Sequence, residues 1–234
     1  MHIVADIVDS WRKYYYTVPL MYLTELITII LGFLYAKKTF IGRLFLSYLL
    51  FDFILLNIAE FLEIKSTPKI TFTTVTNSLV SLFELVAYYY FFARTLNNMS
   101  ALKGIKFGFV VYGTLNIVYI LTRWASDKTS QNYFLTSIPT FEFLLLIFPC
   151  IVYFRQLFIE DSTIDLFDRP SFWITTGVFF FSILSIPYYL TFQLLRLSVH
   201  SDRYIFGAFL FFLPFTINFV FLSKAFLCKK PLTI

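Results

Sequence analysis

Four acidic residues stand inside long apolar runs: Glu25, Asp52, Glu84 and Glu142, with Glu60 near the end of the run that holds Asp52. A carboxylate at the centre of a bilayer costs about 2.5–3.5 kcal/mol on insertion scales. Such a group needs a partner, a proton or a wet cavity. The chemistry it points to is ligand binding, proton linkage or, where two acids meet, general acid–base work. Glu25, Glu84 and Glu142 repeat a pattern: each lies early in its run, and each is followed by apolar residues and then a basic one, Lys37, Arg94 and Arg155. The spacing predicts three carboxyls at similar depth in the outer half of a membrane.

Polar neighbours fall on the same helical faces. Asn77, Ser81, Glu84 and Tyr88 are spaced four, three and four residues apart, which makes one stripe. Ser182, Ser185, Tyr189 and Gln193 are spaced three, four and four apart and make another. Pro187 frees backbone groups within that second stripe, and Asn116 and Asn218 add amides on two further runs. Residues of this kind also serve as plain hydrogen bonds between helices, at about 0.6 kcal/mol each. Several acids at one depth are an expensive form of such glue, so the set reads as a polar pocket formed by Glu25, Asp52, Asn77, Ser81, Glu84, Tyr88, Glu142, Tyr189 and Gln193.

The elements that must carry these residues follow from composition. The chain has 234 residues, of which 59% are hydrophobic, 22% aromatic and 14% charged. A soluble domain carries roughly a quarter charged residues, so an ordinary soluble enzyme, a disordered chain and a nucleic-acid-binding domain are all excluded. A spanning helix needs about 20 mostly apolar residues, and seven stretches qualify: 17–36, 43–62, 74–93, 105–122, 135–157, 172–194 and 205–226. The predicted fold is an all-α bundle of seven transmembrane helices in one domain, with the lipid bilayer as its main partner. The loops are too short for a catalytic or sensory module. The first run is followed by Lys37 and Lys38 and reads as a retained span, not a cleaved leader.

Orientation follows from Lys and Arg. Eleven of them lie in the first, third and fifth loops and the C-terminal tail, against eight on the N-terminal side. This predicts the N-terminus outside and the C-terminus in the cytoplasm. Trp11, Tyr14, Trp124, Tyr133, Trp173 and Tyr204 lie near span ends, as interfacial aromatic residues do. The loop with Glu160, Asp161, Asp165 and Asp168 falls on the cytoplasmic side. It reads as a solvated loop leading into a helix, with Glu160, Asp161 and Asp165 a weaker candidate for a partner's docking surface.

Other motifs are absent. Cys150 and Cys228 form no metal spacing or disulfide framework, and His2 and His200 are far apart in sequence. No metal site, cofactor or catalytic residue is expected. Lys224 lies at the end of the last run, where it cannot carry a retinal. Gly104 and Gly108 have GxxxG spacing, but Lys106 between them weakens a dimerisation reading.

Three short motifs carry a resemblance: Pro170-Ser171-Phe172-Trp173-Ile174-Thr175-Thr176-Gly177, Leu82-Phe83-Glu84-Leu85 followed by Tyr90-Phe91-Phe92, and Phe141-Glu142 followed by Tyr153-Phe154. Across residues 75–195 the chain resembles seven-helix inner-membrane proteins common in Bacteroidota, often encoded beside histidine kinases. That family has no assigned chemistry, so no catalytic residue transfers. The resemblance marks Glu84, Glu142 and Trp173, and implies a bacterial inner-membrane protein that signals through a histidine kinase or another signalling partner.

The expected function is therefore a membrane sensor or accessory subunit. It would bind a small or lipidic ligand in the outer-half pocket and pass a helix shift to a partner that holds the output domain. A small-solute or proton-coupled transporter is the first alternative, although the two halves show no clear repeat and no Pro-Gln dipeptide. An intramembrane hydrolase using paired carboxylates is the second, and requires two of the acids to meet in space.

Overall fold

In lipid an apolar run has to satisfy its own backbone, and a helix does so within one segment. A computed structural model describes residues 17–36, 39–65, 71–125, 138–159, 166–195 and 201–228. Among them are seven α-helices and no strand: α1 Thr17–Tyr35, α2 Phe40–Lys65, α3 Thr71–Thr95, α4 Met99–Ala125, α5 Ile138–Ile159, α6 Pro170–Leu195 and α7 Ser201–Phe226. A short 3-10 turn, Leu166–Asp168, precedes α6.

Local chemistry sets several helix ends. The Gly42 N–H donates to Thr39 Oγ1 (3.1 Å) at the start of α2. Asn98 Oδ1 accepts the N–H groups of Ser100 (3.0 Å) and Ala101 (3.1 Å) at the start of α4. Each side chain satisfies donors that the first turn leaves free. Pro170 opens α6, where its missing N–H costs nothing. The cap at Asn98 lets α4 begin six residues before the predicted span, with Lys103 and Lys106 on its exposed face.

Each helix packs on the next in chain order, and α7 returns to pack on α1, so the bundle closes into a ring. Helix α3 also reaches inward: it hydrogen-bonds to α4 and α5 through Ser81 and to α7 through Tyr88. Its Phe83 packs on Phe51 of α2, with ring centroids 5.0 Å apart.

The outside of the ring is apolar and the inside partly polar. Leu34 is 59% exposed and Phe107 72%, whereas Glu25 and Ser182 are fully buried. A water-soluble surface does not present such a band, but lipid covers it at no cost. Windows of α4 (Met99–Thr122), α5 (Thr140–Ile159) and α6 (Pro170–Tyr189) are long and apolar enough to cross a membrane, and Leu20–Tyr35 and Phe212–Phe226 are shorter apolar helices. The protein is a helical membrane bundle.

Trp173 ties the start of α6 to the preceding 3-10 turn and to the end of α7. Its indole N–H donates to the Phe167 carbonyl (2.8 Å), its ring stacks on Phe221 (5.8 Å, 27°), and Lys224 Nζ lies 5.7 Å from it. The Cys228 thiol sits beside the same Phe167 carbonyl (3.8 Å). Both cysteines are free, Cys150 buried and Cys228 half-buried. Burial pushes the Cys228 thiol above its ordinary pKa and Asp168 adds to this, while Lys224 opposes it. A raised pKa leaves less thiolate at neutral pH. Maleimide labelling in micelles is therefore expected to be slow at Cys228, faster as pH rises, and absent at Cys150 until the bundle is unfolded. Mass mapping of the labelled peptides checks this.

Candidate functional site

The bundle interior has two halves. On α2, buried Ile41, Phe45 and Leu49 give way to Asp52; on α4, Ile105 and Phe109 give way to Tyr112 and Asn116; on α6, Ile174 and Val178 give way to Ser182 and Ser185. The helices antiparallel to these show the same order in reverse. Glu84 and Tyr88 of α3 are followed by Phe91 and Phe92, and Asn218 of α7 by Leu222, Ala225 and Phe226. One half is thus a close-packed apolar plug and the other holds the acids. The few hydroxyls in the plug mostly bond locally: Thr95 to the Phe91 carbonyl, and Tyr153 to Ser171 (2.9 Å). Thr175 is an exception, buried there with no partner.

Glu142 of α5 is the best-bonded acid. Its Oε2 accepts from Ser81 Oγ (2.6 Å) and from the Tyr112 hydroxyl (2.7 Å). Ser81 and Tyr112 are themselves 2.7 Å apart, and Asn116 Nδ2 donates to the Tyr112 oxygen (3.3 Å) and the Ser78 carbonyl (3.4 Å). Glu84, one turn further along α3 than Ser81, lies beside the phenol of Tyr48 of α2. Tyr88, one turn further again, accepts from Asn218 Nδ2 (3.0 Å). At about 1.5 Å per residue, Ser81, Glu84 and Tyr88 lay a polar column of about 10 Å along the bundle axis.

Glu25 and Asp52 extend the column towards α1 and α2. Asp52 lies within electrostatic reach of both Glu25 and Glu84, and Tyr48 lies within reach of all three acids and packs on Tyr88. Thr28, one turn beyond Glu25, fixes α1 against α7: its Oγ1 is 2.7 Å from Ser223 Oγ and 3.1 Å from the Phe219 carbonyl. Both Glu25 oxygens, Oε1 of Glu84 and Oε1 of Glu142 are buried with no hydrogen-bond partner among the described residues, as are the hydroxyls of Ser182 and Ser185. Buried polar atoms in proteins are normally satisfied, and here the exceptions other than Thr175 gather in one half of the bundle.

The structure brings together Glu25, Asp52, Ser81, Glu84, Tyr88, Glu142 and Tyr189, which lies within electrostatic reach of Glu142 and Glu84. Asn77 is a correction: it is exposed, because the buried face of α3 runs through Ser78 and Ser81 instead. The carboxyls are also staggered rather than level, since Glu142 meets Ser81, one turn before Glu84. The side chain of Gln193, and Glu160, Asp161 and Asp165, lie outside the described residues.

Sequence reading missed Tyr48 and Tyr112. The signal was present, because each lies four residues before a marked polar residue, Asp52 and Asn116, and so shares its face. No group of three or more His, Cys, Asp or Glu converges to hold a metal among the described residues. No Lys, Arg or His is buried among them either. Comparison with protein-family models, with curated proteins and with solved structures returns no match.

Proposed function

We propose that this protein is a membrane sensor or accessory subunit that binds a small or lipidic ligand in the polar half of its bundle and signals through a partner. One observation carries the reading: buried, incompletely bonded polar groups occupy one half of the interior, and close-packed Phe, Leu and Ile seal the other. Such an interior loads and unloads from one side. A carrier needs a route through both halves, and an acid–base hydrolase needs two carboxyls directly facing one reacting atom.

The basic residues Arg43, Arg94, Lys103, Lys106, Arg155 and Lys224 are exposed at the sealed end. The excess of Lys and Arg on cytoplasmic loops supports the sealed end inside, the site facing out and the C-terminus in the cytoplasm. The likeness to inner-membrane proteins encoded beside histidine kinases supports a kinase or related protein as the partner. A ligand shifts the bundle only as far as it binds two of its states differently. The Asn218–Tyr88 contact, between the polar half and the plug, lies where such a shift would pass from one to the other.

The test is a mild-detergent pull-down of the tagged protein from native membranes, with bound proteins identified by mass spectrometry. A stoichiometric signalling protein is the expected result. Recovery of the protein alone, together with solute flux in proteoliposomes, contradicts the sensor reading and favours the carrier.

A further inference from the structure

We infer that the ligand of the polar half is an organic monocation, an amine or quaternary ammonium group carried on a compact apolar body. This rests on the proposal that the polar half is a ligand site, and adds the chemistry of what it accepts.

The ionisable side chains buried in the interior are all acidic among the described residues. Glu25, Asp52, Glu84 and Glu142 are all buried, and no buried Lys, Arg or His faces them among the described residues. Hydrogen bonds satisfy only part of the set: Glu142 Oε2 is taken by Ser81 and Tyr112, while its Oε1, Oε1 of Glu84 and both oxygens of Glu25 have no partner. A cation that enters converts this least favourable feature of the fold into an ion pair in a medium of low dielectric. An anion has no donor of positive charge to meet.

The hydroxyls of α6 are a second, independent observation. Ser182 and Ser185 are fully or almost fully buried and have no partner. They share one face of α6 with Tyr189, which lies within electrostatic reach of Glu84 and Glu142. The unpartnered hydroxyls therefore line the same interior as the unpartnered carboxyl oxygens.

Two further facts narrow the cation. The acids do not converge on one point as ligands of a metal would. The polar groups from Ser81 to Tyr88 that accompany them run along about 10 Å of the bundle axis, which suits a molecule rather than an ion. Around them are aromatic rings: Tyr48 packs on Tyr88 (6.4 Å) and Phe143 on Tyr189 (5.3 Å). Aromatic faces beside carboxylates are the recurring means of holding ammonium groups, and rings of this size also cover an apolar body.

The experiment uses the full chain in nanodiscs and three probes of matched size: hexylamine, hexanol and hexanoate, with benzyltrimethylammonium as a quaternary cation. The readout is thermal unfolding followed by intrinsic fluorescence. At saturating concentration the two cations are expected to raise the melting temperature by about 5 °C, with hexanol and hexanoate giving no more than the nanodisc control. Glu84→Gln and Glu25→Gln are expected to abolish the shift, and Lys103→Gln, on the exposed face of α4, to keep it.

Equal stabilisation by hexanol overturns the cation inference and leaves the ligand-site reading standing. Stabilisation by hexanoate alone overturns it with the opposite sign. Stabilisation by none of the probes overturns it as well, and the pull-down then decides the sensor reading separately. A shift that survives in both Gln variants places the cation outside the polar half and also contradicts the proposal.

Discussion

Glu25→Met is expected to give a bundle that unfolds at higher temperature than the wild type and does not respond to its ligand. Both carboxyl oxygens of Glu25 are buried without a hydrogen-bond partner, and Asp52 lies within electrostatic reach. Whatever its protonation state, the group loses water on folding and gains little in return. Replacing buried charge by a well-packed apolar side chain of similar volume is often neutral or stabilising by about 1–4 kcal/mol, and the lower part of that range is expected here. Glu142→Ala is expected to act in the opposite direction. It removes the acceptor shared by Ser81 and Tyr112 and leaves one of the two hydroxyl protons without an acceptor, since only one of the pair can donate to the other. An orphaned group costs about 1–3 kcal/mol, so a loss of that size is expected, most of it restored in Glu142→Gln, which keeps an acceptor oxygen. Reversible unfolding in mixed micelles separates the two cases. A Glu25→Met variant less stable than the wild type would mean that Glu25 is structural glue.

The second large effect is expected at Gly177. A Cβ built there meets Phe221 Cβ at 2.8 Å and Asn218 Oδ1 at 3.1 Å. Phe221 Cβ is fixed to its backbone and cannot swing aside, so a larger side chain must push α6 from α7. Overpacking of this kind costs about 1–3 kcal/mol, and Gly177→Leu is expected to lie at or above the upper end. Because Asn218 donates to Tyr88 (3.0 Å), the separation also breaks the polar column at its inner end. Gly177→Ala is expected to be milder, and the ordering Gly, Ala, Leu in melting temperature tests the contact. Gly104, where an added Cβ meets nothing within 4 Å, is the matched control. The close approach also gives a physical reason for the glycine that ends the Pro170–Gly177 motif.

Much of this architecture was legible in the chain. Length and polarity of the apolar runs give seven helices, because lipid leaves few other ways to satisfy a backbone. The ends were less legible: the cap at Asn98 starts α4 early, and two lysines that side with solvent on an exposed face do not end the helix. The acids were visible because charge within an apolar run is costly wherever the helix faces. Neutral polar residues were harder to place. Asn77 and Ser78 are adjacent, and periodicity alone did not settle which of them belongs to the buried face, since the ring packing rather than the stripe fixes the rotation of α3. Tyr48 and Tyr112 were overlooked because tyrosine in such a chain passes for lipid-facing or interfacial bulk. Their hydroxyls matter only through partners on other helices, which no local pattern records.

The central claim is that the interior is polar on one side, sealed on the other, and open outwards. Substituted-cysteine accessibility in intact cells tests it most directly. In a background lacking Cys150 and Cys228, single cysteines are placed at Ser81, in the polar column, and at Val178, in the plug. A membrane-impermeant cationic methanethiosulfonate reagent is applied from outside. Modification of Ser81→Cys, slowed by benzyltrimethylammonium, with Val178→Cys unreactive from either face, is the predicted result. Modification of Ser81→Cys from the cytoplasmic face alone, or equal reaction at both positions, would contradict it.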